Sequence, residues 1–93
     1  MKSTRFVNVW DAIEADPELA DNLRLRSELM MALRDRIESA GLTQAEAAAH
    51  LGVTQPRISD LMRGKIEAFS LDTLVRLAHA AGLRVKMEVQ AVA

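Results

Sequence analysis

The 93-residue sequence has no cysteine, and its only aromatic residues are Phe6, Trp10 and Phe69. Without cysteine the chain cannot form a disulfide scaffold or a thiolate zinc site, and it has no cysteine nucleophile. Because aromatic side chains are so few, the core has to be built from Leu, Ala, Ile, Val and Met. This composition favours helices, so we expect a mainly helical domain.

Catalytic and metal-binding groups are also sparse. The two histidines, His50 and His79, have no neighbouring residue at the spacing of metal ligands. The acidic residues do not combine with a nucleophile or a base in any recognisable arrangement. The sequence therefore predicts no metal site, no cofactor and no enzyme activity.

Long apolar runs are missing as well. No stretch approaches the roughly 20 apolar residues that span a bilayer, and the first ten residues lack the apolar run of a signal peptide. A chain of 93 residues is long enough for one small domain, with or without an arm. We expect a soluble, cytoplasmic protein.

The net charge of −1 and a pI near 6.1 are not typical of a polyanion-binding protein, so a nucleic-acid interaction has to rest on local charge. Residues 1–40 contain 6 Lys and Arg against 8 Asp and Glu, whereas residues 41–93 contain 6 against 5. The acidic excess is sharpest between Asp11 and Asp21, where five carboxylates meet no basic residue. Any surface that binds nucleic acid would therefore draw its basic groups from the second part of the chain.

A long helix is predicted at 17–40. Asp16 can accept hydrogen bonds from first-turn amides, Pro17 suits the first helical position, and Gly41 ends the run. The apolar residues recur at helical spacing, which favours a core role for them. They are Leu19, Leu23, Met30, Leu33 and Ile37.

Three shorter helices follow, each with its own start and stop. Thr43 and Glu46 form a capping box for a helix that ends at Gly52. Thr54 caps the next helix, Gln55 to Met62. Ser70 caps a third, Leu71 to Ala81, which Gly82 closes.

Both ends of the chain show alternation. Leu83 to Gln90 alternate apolar and polar residues throughout, which predicts a half-buried C-terminal β-strand. The first ten residues alternate weakly, as a short strand or an unstructured arm would. The predicted organisation is an arm at 1–16, a helical bundle at 17–82 and a strand with tail at 83–93.

The two helices Gln44–Leu51 and Gln55–Met62 have the dimensions of a helix-turn-helix, which occupies residues 44–62. The run GLTQAEAAAHLGVTQPRISDLMRGK resembles the helix-turn-helix of XRE-family regulators, with a Gln opening the first helix, a Gly turn and a Gly-Lys finish. The resemblance covers about residues 33–83 and implies a lambda-repressor-like, sequence-specific DNA-binding repressor. With its acidic extension, the whole chain is most similar to HigA-type antitoxins.

The predicted DNA contacts lie in and around the second helix of this motif. Gln55 can pair with adenine, Arg57 can reach a guanine edge or a phosphate, and Thr54 can contribute to either kind of contact. Pro56 departs from the polar residue usual in the family, and Asp60 would repel phosphate unless it meets a cytosine amine. The remaining candidates are expected near the DNA backbone. They are Gln44, Ser59, Arg63 and Lys65.

Two kinds of protein partner are expected. A homodimer would place two recognition helices about one DNA turn, roughly 34 Å, apart. The interface would be the C-terminal strand or, if that strand pairs with residues 5–9 of its own chain, the helices after Ser70. The acidic and apolar N-terminal segment is suited to a basic, RNA-cleaving toxin, although it can also serve solubility alone. Its candidate contacts are Val9, Trp10, Asp11, Ile13, Glu14 and Asp16.

Three functions thus stay open from the sequence. The first is an antitoxin of a type II toxin–antitoxin pair that represses its own operon. The second is a free-standing XRE repressor without a toxin. The third is a helical interaction module that does not bind DNA.

Overall fold

The computed structural model describes residues 16–92 of the chain. This part of the chain contains four α-helices and one short 3₁₀ helix. In chain order they are α1 (Pro17–Ser39), α2 (Gln44–Leu51), α3 (Gln55–Met62), the 3₁₀ helix (Ile66–Ala68) and α4 (Leu71–Ala80).

Each α-helix begins at a side chain that accepts hydrogen bonds from first-turn amides. Asp16 accepts from the amides of Glu18 and Leu19 at the start of α1. Thr43 and Glu46 form the predicted capping box of α2. Thr54 and Ser70 cap α3 and α4 in the same way. The four predicted helix starts are therefore confirmed, whereas the 3₁₀ helix was not predicted.

The core lies where all four α-helices meet. It contains Phe69 and an otherwise aliphatic set of side chains, as the composition predicts. α1 contributes three side chains to it and leaves Leu19 and Leu23 half-buried at its N-terminal end. The buried core residues are Met30, Leu33, Ile37, Ala47, Ala48, Leu51, Ile58, Leu61, Phe69, Leu74, Leu77, Ala78 and Ala81.

Two arginines of α1 fix the segment from the 3₁₀ helix to the end of α4. Arg26 donates to the carbonyl oxygens of Ile66 and Phe69 at 3.2 and 3.3 Å. Further along α1, Arg36 donates to the carbonyl oxygen of Ala81 at 2.9 Å. Because the earlier arginine contacts the start of α4 and the later one its end, α1 and α4 run side by side in the same direction.

The predicted C-terminal strand is not found. Leu83 packs against the core and its amide donates to the Ala78 carbonyl oxygen at 2.9 Å, but residues 84–92 are exposed and belong to no helix or strand. Period-two alternation produces a strand only when a neighbouring strand satisfies its backbone groups. Residues 16–92 contain no such neighbour.

Other expectations concern what the chain lacks. None of the described helices combines the length and the apolar character needed to cross a membrane. Within residues 16–92, no three His, Asp or Glu side chains lie close enough together to hold a metal ion. The alternatives for the first ten residues lie outside the described part of the chain.

Candidate nucleic-acid interface

The turn between α2 and α3 is built on a left-handed glycine. Gly52 adopts φ 72°, a conformation that side-chain-bearing residues disfavour. The amide of Val53 then donates to the carbonyl oxygen of Ala48 at 3.0 Å, which closes the end of α2. Ala47 and Ala48 are buried, and their small side chains let α3 pack closely across α2. The predicted helix-turn-helix is confirmed.

α3 has one buried face and one accessible face. Ile58 and Leu61 are buried in the core and hold the helix against the rest of the bundle. Gln55 and Pro56 are exposed at its N-terminal end, while Ser59 is half-buried. The helix therefore presents its N-terminal end to the solvent, as a recognition helix does when it enters the major groove.

The N-terminal ends of α2 and α3 carry three of the predicted contacts. Gln44 and Gln55 are each the first residue of their helix, and both are exposed. The Thr54 hydroxyl oxygen accepts from the Arg57 amide at 3.3 Å, so its hydrogen is free to be donated outward. The partial positive charge at the N-terminal end of each helix favours a nearby anion.

The Arg57 side chain is directed towards the loop before α4. Its guanidinium donates to the carbonyl oxygen of Ala68 at 2.8 Å and lies 4.6 Å from the centre of the Phe69 ring. A cation over an aromatic face is attracted by the quadrupole of the ring, whose face is partially negative. The structure therefore gives Arg57 contacts that attach α3 to the loop before α4, and its contact with DNA stays a prediction.

The turn after α3 contains the other predicted cations. Gly64 adopts φ 74°, and the chain reverses so that the Lys65 amide donates to the Asp60 carbonyl oxygen at 3.0 Å. Arg63 and Lys65 are both exposed on this turn. Their side chains also meet Asp60, at 3.0 Å from Arg63 and 3.8 Å from Lys65.

Arg34 is a further cation at this turn that the sequence did not single out. One guanidinium nitrogen lies 3.9 Å from the position that a Cβ on Gly64 would take. Its Nε atom is buried and has no hydrogen-bond partner among the described residues. The sequence holds no signal for this proximity, because the two positions are far apart along the chain and belong to different elements.

The candidate partner contacts fall almost entirely outside the described residues. Val9, Trp10, Asp11, Ile13 and Glu14 precede the described range. Asp16 is the exception, and its carboxylate caps α1.

Comparison with known proteins agrees with this geometry. A family model described as a helix-turn-helix domain matches residues 13–90. A solved structure of an XRE family transcriptional regulator is 36% identical, with a TM-score of 0.73, and the match covers 78% of this chain and 82% of that chain. The chain belongs to the XRE helix-turn-helix family. No curated protein matches it.

Membership of this family confirms the resemblance seen in the motif around Gly52. The matched region extends beyond the two helices of the motif to α1, α4 and most of the C-terminal segment. The whole described bundle is thus the family's domain, and α3 is its second motif helix.

Proposed function

We propose that this chain is a sequence-specific DNA-binding transcription regulator that places α3 in the major groove. The observation that carries the proposal is the exposed Gln55 at the N-terminal end of a helix whose opposite face is buried. A recognition helix contacts base edges with its N-terminal residues, and a Gln side chain can pair with N6 and N7 of adenine.

The other polar groups are suited to the DNA backbone. Arg63 and Lys65 follow α3, where a cation can reach a phosphate, and Gln44 lies at the amide-rich start of α2. Thr54 has a free hydroxyl hydrogen, and Ser59 lies on the half-buried side of α3. We assign Arg57 to the loop before α4 rather than to DNA, because its guanidinium already has two partners there.

The test separates base contacts from phosphate contacts. A duplex selected by the wild-type chain from a random library is compared with a scrambled duplex of the same composition. Gln55→Ala should weaken binding to the selected duplex by about 1–3 kcal/mol and leave the scrambled duplex unaffected. Arg63→Ala should weaken binding to both duplexes and lower the salt slope by about one unit.

Folding is not expected to complicate this comparison, because Gln55 and Arg63 are both exposed. Thermal unfolding of each variant provides the control. An equal loss on both duplexes for Gln55→Ala would refute the base contact. Failure of the wild-type chain to bind any duplex would refute the proposed function.

We further propose that the chain acts as a homodimer. One helix-turn-helix contacts few base pairs, and two of them gain affinity when a dimer presents them about one DNA turn apart. The segment after Leu83 supports this proposal because it exposes four apolar side chains that a second copy can bury. They are Val85, Met87, Val89 and Val92.

The finer proposal is that the regulator is a HigA-type antitoxin of a type II toxin–antitoxin pair. Its support is the acidic N-terminal segment, which contains Trp10 and several aliphatic residues beside Asp11 and Glu14. Such a segment complements a basic, RNA-cleaving protein and can cover its RNA site. The partner to test is the product of the neighbouring reading frame.

Two variants separate the contributions to that complex. Asp11→Lys with Glu14→Lys should slow association, whereas Trp10→Ala should speed dissociation, because a buried Trp commonly anchors an interface. Asp16 is left unchanged, since its carboxylate caps α1 and its loss would also weaken the helix. Both variants should bind DNA normally.

The alternatives are outcomes of these experiments. Equal toxin binding by a chain that lacks residues 1–15 would move the contact to the bundle. Specific DNA binding without any toxin partner would indicate a free-standing repressor. Absence of both activities would leave a helical interaction module.

A further inference from the structure

Asp60 holds the two cations that follow the recognition helix. Its Oδ1 atom accepts a hydrogen bond from Nη2 of Arg63 at 3.0 Å and lies 3.8 Å from Nζ of Lys65. The Asp60 side chain is 28% exposed, whereas those of Arg63 and Lys65 are 60% and 53% exposed. One carboxylate is therefore placed between two solvent-facing cations.

Helix stability does not account for this carboxylate. Asp60 lies in the last turn of α3, where an acidic side chain meets the partial negative charge of the final carbonyl groups. The two cations that it meets are more than half exposed, and ion pairs at the protein surface contribute little to stability. Asp60 thus has an unfavourable position within the helix and only weak compensation from its partners.

The same donors are the ones that a DNA phosphate would use. Guanidinium and ammonium groups bind carboxylate and phosphate through the same charge-assisted hydrogen bonds. A phosphate that binds Arg63 has to displace the Asp60 carboxylate or lie a few ångströms from its negative charge. The three side chains together carry a charge of +1, instead of the +2 of the cations alone.

We propose that Asp60 competes with DNA phosphate for Arg63 and Lys65 and so limits the sequence-independent part of the affinity for DNA. This proposal rests on the proposed DNA binding. Because Gln55 lies at the opposite end of α3, the carboxylate does not alter base preference. It lowers the affinity of the chain for every duplex, whatever the base sequence. Asp60 is a residue that acts through the two cations, without contacting a base itself.

The decisive variant is Asp60→Asn, which removes the charge and keeps the shape. Binding is measured to the selected duplex and to the scrambled duplex over a series of salt concentrations. We expect binding to both duplexes to tighten by a similar factor of about 5, the size expected for removing a like charge near a phosphate in water. The slope of log K against log salt should become steeper by up to about one unit.

Two controls isolate the role of the pair. Asp35→Asn removes the same charge from an exposed site on α1 that forms no ion pair within the described residues, and it should change binding far less. In an Arg63→Gln background, Asp60→Asn should give a smaller gain, because one of the two cations is already absent. Circular dichroism and thermal unfolding establish that each variant is folded.

The possible results are distinct. A similar gain on both duplexes, reduced in the Arg63→Gln background, supports the proposal. A loss on both duplexes would mean that Asp60 positions the cations for phosphate, and a loss on the selected duplex alone would mean that it contacts a cytosine amine; either result overturns the proposal. An unchanged affinity also overturns it. If the wild-type chain binds neither duplex, the proposed function itself fails.

Discussion

The helical bundle and the C-terminal segment differ in whether their apolar side chains are buried. Met30 on α1 is only 3% exposed and packs among the other helices, whereas Met87 in the segment after Leu83 is 85% exposed. Both regions are rich in apolar residues. The comparison shows that burial depends on a partner surface, which the bundle provides for its own side chains and which the segment after Leu83 lacks within residues 16–92.

The difference also follows from how each element satisfies its backbone. A helix pairs its amides with carbonyls four residues away in the same segment, so α2 and α3 satisfy their backbone groups without a neighbouring element. With eight residues each, they still depend for stability on burying one face against the bundle. An extended segment needs a second strand beside it. Residues 84–92 have none in the described chain, and their apolar side chains remain accessible.

The largest expected effect on stability comes from comparing substitutions of a buried and an exposed methionine. Met30→Ala should lower the free energy of unfolding by about 2–5 kcal/mol, because it removes a buried side chain and leaves a cavity. Met87→Ala should change it by less than about 0.5 kcal/mol in the monomer, since its side chain is exposed. Urea unfolding at low protein concentration measures both values.

Equal losses for the two methionine variants would contradict the comparison. A cost for Met87→Ala that grows with protein concentration would instead indicate burial of this side chain between two copies. The same measurements therefore also bear on the proposed dimer.

The second effect concerns the attachment of α3 to the bundle. Arg57→Met should lower the free energy of unfolding by about 2 kcal/mol, because it removes a charged hydrogen bond to the Ala68 carbonyl and a cation over the Phe69 ring. The aliphatic part of Met keeps most of the packing. Urea unfolding gives the loss, with Arg76→Met, at an exposed position of α4, as the control.

The DNA binding of the Arg57→Met variant tests whether this residue also contacts a base. If Arg57→Met retains base preference on the selected duplex, the internal role of Arg57 is supported. Loss of preference without loss of stability would restore the guanine contact that the motif predicts.

The sequence predicts most of this fold because its strongest signals are local. A cap such as Thr43 with Glu46 involves residues three positions apart, and the left-handed turn at Gly52 depends on a single residue. The direction of Arg57 and the approach of Arg34 to Gly64 depend instead on residues from different elements. The prediction of a C-terminal strand was wrong for a related reason, because alternation specifies which side chains share a face but does not supply a neighbouring strand.

The third effect tests whether such local signals stabilise the motif. Thr54→Ala removes the hydroxyl that accepts from the Arg57 amide, and it should lower the free energy of unfolding by about 1 kcal/mol. Thr54→Ser keeps the hydroxyl and should recover most of that loss. An equally large loss for the two variants would attribute the effect to the methyl group rather than to the cap.

The smallest effect on monomer stability is expected from the C-terminal segment. Deleting residues 84–93 keeps Leu83, whose amide donates to the Ala78 carbonyl oxygen and whose side chain packs on the core. Within the described residues, the deletion removes only exposed side chains, those of residues 84–92. Unfolding of the monomer should change by less than about 0.5 kcal/mol. If a second copy buries this segment, association stabilises the full chain as concentration rises, and the shortened chain loses that dependence. Sedimentation over a range of concentrations should then show a dimer for the full chain and a monomer for the shortened one, whereas a stable dimer of the shortened chain would place the interface on the helices.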